Sequence, residues 1–84
     1  MPNQIVKTEA EILLEARKKL GLTQQQVADK AGILWRQYHR LESGERKLSS
    51  SSFWLAGNVL DALNLDITAF ARGKYAVVES EENL

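Results

Sequence analysis

The stretch from Thr23 to Glu42, TQQQVADKAGILWRQYHRLE, constrains the fold more than any other part of the chain. It holds a first helical pattern of eight residues, then Ala31-Gly32, then a second helical pattern. Ala31-Gly32 suits a tight turn, because glycine adopts positive φ without steric cost. Two short helices joined by such a turn form a helix-turn-helix. The sequence therefore predicts this motif, and the remaining chain is expected to hold its two helices at a fixed angle.

Capping signals locate the other predicted helices. Residues 8–11, TEAE, and residues 23–26, TQQQ, are capping boxes that open helix 1 and helix 2. Ser52 and Asp66 are the predicted N-caps of helix 4 and helix 5. We therefore expect an all-α domain of five helices over residues 8–73.

Apolar residues at helical spacing predict the buried faces of these helices. A small residue in helix 2 would let the next helix approach closely. The predicted core residues are Leu13, Ala16, Leu20, Val27, Ala28, Ile33, Tyr38, Leu41, Phe53, Ala56, Leu60 and Leu63.

The two ends of the chain have a different character. Residues 1–7 show no period and are expected to form a loosely held N-terminal arm, with a dimer contact as the alternative role. Residues 74–84 form a C-terminal tail in which residues 75–78, YAVV, have strand-like composition. The last six residues, ESEENL, are expected to be disordered because they are polar and acidic.

Composition excludes several classes of protein. A chain of 84 residues is one small domain with a marginal core, so dimerisation would help it. The absence of Cys and the presence of one His argue against a disulfide framework or metal site, and we expect no cofactor. There is no Gly-rich phosphate loop or catalytic constellation, so no enzyme is expected. The chain shows no signal peptide and no apolar run near the ~20 residues of a membrane span, which indicates a cytoplasmic protein.

Charge is neutral overall but unevenly distributed. Between Lys30 and Lys47 there are five basic residues against two acidic ones. The tail after Val78 holds three glutamates, which offset that excess. A locally basic face, of the kind that phosphate backbones attract, is therefore compatible with zero net charge.

The residues from Leu20 to Gly32, LGLTQQQVADKAG, are followed by Ile33 and then by RLESGER at residues 40–46. This pattern resembles the Cro/CI-type phage repressor domain, often called the XRE family, over roughly residues 11–72. The resemblance implies a compact lambda-repressor-like fold that binds DNA and regulates transcription. The family's small, turn and core positions are occupied by Ala28, Gly32, Tyr38 and Leu41.

The resemblance also implies which side chains meet DNA. The first-turn glutamine of helix 2 contacts phosphate in such domains, and the helix predicted near residues 34–42 faces the base edges. Arg36 would pair bidentately with guanine, and Gln37 with adenine. The backbone contacts that follow this helix supply affinity without sequence information. The full implied set is Gln24, Trp35, Arg36, Gln37, His39, Arg40, Arg46 and Lys47.

Three features depart from the family pattern. Leu34 stands where Ser or Thr usually caps helix 3, so the helix start is expected to fray or to shift by one residue. Tyr38 replaces a smaller aliphatic residue, and its hydroxyl needs water or a partner at the rim of the core. The loop between Gly44 and helix 4 is longer than usual.

Some side chains keep alternative roles. Trp35 contacts thymine methyls and sugar, or it packs on Leu34. Arg40 reaches DNA, or it pairs with Glu42 or Glu45. His39 is interpreted as a surface residue of the helix rather than a metal ligand.

Three functional hypotheses follow. The first is a sequence-specific regulator, a repressor that binds a palindromic operator as a homodimer, with Trp54, Phe70 and residues 75–78 at the dimer interface. The second is the antitoxin of a toxin–antitoxin pair, whose apolar and then acidic tail, residues 75–84, adds a strand to a basic toxin or to its own dimer mate. The third is a protein-interaction module that no longer touches DNA, motivated by the zero net charge and by Leu34.

Overall fold

The computed structural model describes residues 4–79, and within that range it contains five α-helices and two short strands. The all-α, five-helix fold predicted from the sequence is confirmed. A single 3-10 turn, Leu48–Ser50, lies in the loop between the third and fourth helices. The elements are β1 (Gln4–Val6), α1 (Glu9–Leu20), α2 (Gln24–Ala31), α3 (Trp35–Glu42), α4 (Phe53–Ala62), α5 (Ile67–Ala71) and β2 (Val77–Glu79).

Side-chain caps explain where most helices begin. The Thr8 hydroxyl accepts from the Glu11 amide at 3.2 Å, and the Glu11 carboxylate accepts from the Thr8 amide at 3.1 Å. Thr23 and Gln26 form the same reciprocal pair at 3.1 and 2.8 Å. Such bonds satisfy amides that have no partner inside the helix. The other two predicted caps are also confirmed, Ser52 for α4 and Asp66 for α5.

The start of α3 differs from the expectation. The helix begins at Trp35 with Leu34 in extended conformation at the cap position, so the expected shift of its start does not occur. The Leu34 side chain offers no acceptor, but the Gln37 side-chain oxygen accepts from the Leu34 amide at 2.9 Å. Half of a capping box is therefore enough to anchor this helix end.

The core lies where α2 packs against α3 and α4, and where α1 packs against α3. Ala28 is fully buried, which allows the close approach predicted for it. Leu20 and Phe53 were predicted to be buried and are 38% and 74% exposed. Leu20 is the last residue of α1 and Phe53 the first of α4, so each lies at a helix end that packs less deeply. The buried cluster is Leu13, Val27, Ala28, Ala31, Tyr38, Leu41, Leu48, Val59, Leu60, Ala62 and Leu63.

The two strands form an antiparallel ribbon that joins the ends of the described chain. Ile5 pairs with Val78, and the Lys7 amide donates to the Ala76 carbonyl at 2.6 Å. The expectation of a loosely held arm is therefore wrong for residues 4–7. The C-terminal strand begins at Val77, two residues later than its composition suggested, because residues 72–76 form a turn.

The ribbon is attached to the helices by two polar contacts. Lys7 Nζ lies 2.8 Å from a Glu15 carboxylate oxygen on α1. The Asp66 amide donates to the Tyr75 hydroxyl at 3.0 Å, next to the start of α5. Glu79 belongs to β2, so the expected disorder of the last six residues is wrong there; the other five lie outside the described residues, as do residues 1–3.

Candidate nucleic-acid interface

The turn between α2 and α3 sets the geometry of the predicted motif. Gly32 has φ 71° and ψ 30°, the left-handed conformation that glycine adopts without strain. A Cβ atom at this position would meet no atom within 4 Å, so the constraint is the dihedral angle rather than space. The Ile33 amide donates to the Ala28 carbonyl at 3.0 Å and closes the turn. The predicted helix-turn-helix is therefore present.

A largely buried ion pair holds the far end of α3. Arg17 Nε and Nη2 donate to the two Glu42 carboxylate oxygens at 2.8 and 2.7 Å. Their side chains are only 16% and 5% exposed. Arg17 Nη1 also donates to the Leu22 carbonyl at 2.9 Å. We call the two bonds from Arg17 to Glu42 the Arg17–Glu42 fork. Together with the bond to Leu22, it connects α1, the loop before α2 and the last residue of α3, so it fixes the position of α3.

No pattern in the sequence indicated this ion pair. Arg17 was not singled out, and Glu42 was considered only as a partner of Arg40. Glu42 pairs with Arg17 instead, and Arg40 Nε lies 3.8 Å from a Glu45 oxygen. Because Arg17 and Glu42 stand 25 positions apart, no local spacing in the sequence could have indicated the contact.

Gln24 is turned toward the protein. Its side-chain nitrogen donates to Glu42 Oε1 at 3.0 Å, and its side-chain oxygen lies 3.3 Å from His39 Nδ1. Gln24 is the first residue of α2, where backbone amides have no helical partner and anions are favoured. Its contact to phosphate stays a prediction, and a contact through the backbone amide would leave the side-chain bonds intact.

The start of α3 presents an apolar surface. Leu34 is 71% exposed and Trp35 is 45% exposed. The Trp35 ring stacks on His39, with ring centroids 4.8 Å apart and 21° between the planes. This stack joins residues one helical turn apart and was not among the roles considered for either residue.

The polar side chains of α3 differ in their freedom to meet DNA. The Gln37 oxygen already accepts from the Leu34 amide, so a bidentate contact to adenine would have to share that atom. Arg36 is exposed, and within residues 4–79 it has neither an ion pair nor a side-chain hydrogen bond. Arg36 could therefore contact a base without first breaking a bond within the protein, whereas Gln37 could not.

The loop after α3 is ordered by its own contacts. Leu48 is buried at 2% exposure, which anchors the loop to the core and accounts for its additional length. The Arg46 amide donates to the Arg40 carbonyl at 3.1 Å, and the Ser51 hydroxyl donates to the Lys47 carbonyl at 3.0 Å. Arg46 and Lys47 are both exposed, as a contact to phosphate requires. A cleft of about 200 Å³ separates the end of α3 from the start of α4 and is lined in part by Gln37, Arg40, Arg46 and Ser52.

Tyr38 lies deeper than expected. It is fully buried rather than at the rim of the core, and its hydroxyl has no hydrogen-bond partner among the described residues. Burial is the main cause that raises the pKa of this phenol far above its usual range, and the nearby Glu42 carboxylate adds to the effect. Burial also disfavours the charged form of Glu42, but hydrogen bonds from partners that include Arg17 outweigh it and lower the pKa of this carboxyl.

Two other kinds of site are not found in the part of the chain that the structure describes. Among residues 4–79, no three side chains of His, Cys, Asp or Glu are grouped so that they could hold a metal ion. Within the same range, no helix has the length and apolar character needed to cross a bilayer. Neither finding alters the interpretation of the exposed helix.

These features are typical of a DNA-binding domain. They are the tight turn at Gly32, the Arg17–Glu42 fork that holds α3, and the exposed basic side chains on and after that helix. Comparison with protein families agrees: the helix-turn-helix model matches residues 13–70. The chain therefore belongs to the helix-turn-helix family of the Cro/CI (XRE) type, whose members are DNA-binding regulators. Regulatory DNA binding in this family is generally not enzymatic. No curated protein and no solved structure matched in the same comparisons.

Proposed function

We propose that this protein is a transcriptional repressor that binds a palindromic operator as a homodimer, with α3 of each copy in the major groove. The observation that carries the proposal is the exposed guanidinium of Arg36 on a short helix that is held at both ends. The half capping box at Leu34 anchors the start of α3, and the Arg17–Glu42 fork anchors its end. A helix fixed in this way presents its side chains to base edges in one orientation.

The roles of the side chains follow from their chemistry. Arg36 donates two hydrogen bonds to O6 and N7 of a guanine. Arg40, Arg46 and Lys47 approach phosphates on one side of the groove, and the backbone amide of Gln24 approaches one at the start of α2. Phosphate contacts set register and affinity, and Arg36 supplies sequence discrimination.

Dimerisation is proposed for two reasons. A domain of this length buries a modest core, and Phe53 and Trp54 expose most of their aromatic surface at the start of α4. Two copies related by a twofold axis would present their α3 helices about 34 Å apart, one turn of DNA. The operator would then have two inverted half-sites.

The test begins with selection of duplexes from a random-sequence pool, followed by measurement of affinity against salt concentration. We expect an inverted repeat to be enriched. The logarithm of affinity should fall linearly with the logarithm of salt concentration, because each phosphate contact releases counterions. A flat salt response would contradict the phosphate contacts. If no sequence is enriched, the proposal is wrong and the protein-interaction module is favoured.

The antitoxin hypothesis stays a prediction. It is favoured only by the ribbon: β2 pairs with β1 on one side, so its other edge is open in the two-stranded sheet that the structure describes. Deleting residues 75–84 removes β2 and therefore tests strand addition: loss of partner capture is expected, and unchanged capture of a partner and unchanged dimerisation would contradict the hypothesis. Both hypotheses place the protein with chromosomal DNA, in the cytoplasm.

A further inference from the structure

The first turn of α3 is unusual for a helix that reads bases. Two of its exposed side chains, Leu34 and Trp35, are apolar. The glutamine that could read a base there, Gln37, is bonded back to the Leu34 amide. Apart from Arg36, the leading end of the helix therefore has few free polar groups with which to satisfy the donors and acceptors of a base edge.

The Trp35 ring is also held in place. It stacks on His39, whose Nδ1 lies 3.3 Å from the Gln24 side-chain oxygen. Gln24 in turn donates to Glu42, which Arg17 holds in the fork. The chain of contacts extends from the aromatic ring to the largely buried ion pair. The Trp35 ring is therefore preorganised and loses little side-chain freedom on binding.

Only one feature of the major groove suits such a surface. Base edges there present hydrogen-bond donors and acceptors, and covering these with apolar atoms is unfavourable. The exception is the methyl group on C5 of thymine, which is apolar and projects into the groove. Burying one methyl group strengthens binding about fourfold.

We propose that Leu34 and Trp35 form a reader of pyrimidine C5-methyl groups, beside the guanine that Arg36 contacts. This inference rests on the proposed function and specifies the ligand of the same helix. Each half-site contains a thymine within reach of the two apolar side chains, and loss of its methyl group weakens binding. A cytosine methylated on C5 presents the same group, so the protein also distinguishes methylated from unmethylated cytosine at that position.

The experiment uses the wild-type protein and one duplex enriched from the random-sequence pool. Each thymine in a half-site is replaced in turn by uracil, which deletes the methyl group and leaves every hydrogen-bonding atom unchanged. We expect a loss of about fourfold at one or two positions. At the remaining positions we expect no change beyond the error of the measurement.

Variants then assign the effect. In Leu34→Ala and Trp35→Ala the ratio of thymine to uracil affinity at the sensitive position should fall toward one, while binding of the uracil duplex persists. Leu20→Ala, which shortens an exposed leucine at the end of α1, is the matched control and should keep the wild-type ratio. The comparison of ratios cancels any general loss of affinity in a variant.

The outcomes separate the inference from the proposed function. If wild type binds the enriched duplex with equal affinity in thymine and uracil forms, the methyl reader is excluded and DNA binding stands. If both alanine variants retain the wild-type ratio, the methyl group is read by other residues and the inference is also wrong. If no duplex is enriched at all, the proposed function fails and the inference fails with it.

Discussion

Arg17 on α1 donates two hydrogen bonds, of 2.8 and 2.7 Å, to the carboxylate of Glu42 at the end of α3. Gln24 of α2 donates to the same carboxylate at 3.0 Å. One acidic side chain thus receives bonds from two other helices, and it is nearly inaccessible to solvent. The orientation of α3 depends on this carboxylate as well as on hydrophobic contacts.

Removing the acidic partner should destabilise the fold strongly. Glu42→Ala leaves the Arg17 guanidinium unpaired and mostly buried, and uncompensated charges of this kind cost about 3 kcal/mol. Urea denaturation at neutral pH measures the change in the free energy of unfolding. Lys7→Ala, which breaks the more exposed Lys7–Glu15 pair, is the control and should cost less than about 1 kcal/mol. If both variants lost the same free energy of unfolding, the Arg17–Glu42 pair would contribute no more to stability than the exposed Lys7–Glu15 pair.

Stability should decline in acid because of the same group. Burial favours the neutral form of Glu42, but interactions with neighbouring side chains, chiefly the hydrogen bonds from Arg17, outweigh it and hold the pKa of Glu42 below 4.5, its ordinary value. A carboxyl whose pKa is lowered by folding adds stability above the unfolded-state pKa and loses it as pH falls through the folded-state value. We therefore expect the contribution of Glu42 to be constant from pH 7 to about pH 5 and to decrease below pH 4.5.

Glu11 acts in the same direction, because the Thr8 amide and hydroxyl donate to its carboxylate and lower its pKa. Denaturation midpoints across this pH range should therefore show a shallower acid decline in Glu42→Gln, while Glu11 keeps part of it. Glu45→Gln changes an exposed carboxylate and serves as the control. An acid decline of unchanged steepness in Glu42→Gln would contradict the assignment.

Tyr38→Phe should leave stability unchanged or raise it by up to about 1 kcal/mol, because it removes a buried hydroxyl that lacks a partner. Thermal and urea unfolding both report this difference. Tyr38→Leu, which also removes part of the ring volume, should instead destabilise the core by about 2 kcal/mol or more. A clear loss of stability in the phenylalanine variant would mean that the hydroxyl is hydrogen-bonded in solution.

Arg36→Ala should weaken binding of the selected duplex by about 1–3 kcal/mol and relax discrimination at one base pair. Competition binding against duplexes altered at single positions measures both effects. Lys18→Ala, a change of exposed charge on α1, is the control and should preserve the base preference. A variant that loses affinity equally for every sequence would place Arg36 on phosphate rather than on a base.

Exchanging Phe53 and Trp54 for serine should reduce self-association, since both aromatic side chains are more than half exposed at the start of α4. Sedimentation measures the monomer–dimer equilibrium over a range of concentrations. The variant should still bind an isolated half-site but lose the advantage of two half-sites. Leu34→Ser is the control, because it changes a comparably exposed apolar residue at the start of α3. It should leave the monomer–dimer equilibrium as in wild type. A wild-type monomer at all concentrations would remove the basis for this interface.

The sequence predicted what depends on neighbouring residues. Capping boxes at Thr8 and Thr23, and the positive φ of Gly32, are local signals, and they located α1, α2 and the turn correctly. The Arg17–Glu42 fork and the ribbon join residues far apart in the chain, so no periodic pattern indicated them. The Trp35–His39 stack has helical spacing and could have been proposed. The inward orientation of Gln24 could not, because it depends on where Glu42 lies.

The ribbon between β1 and β2 has a consequence for the order in which the molecule opens. Its strands have three residues each and close a loop that spans nearly the whole described chain, so forming it carries a large closure entropy. Two-stranded ribbons of this length are marginal without other support. The two strands should therefore separate and pair again many times while the helices stay folded. As a result, the Lys7 amide should exchange with solvent deuterium well before the Leu60 amide. The ribbon would then be the first part of the described chain to open, and α2 and α3 would be among the last elements to lose their structure.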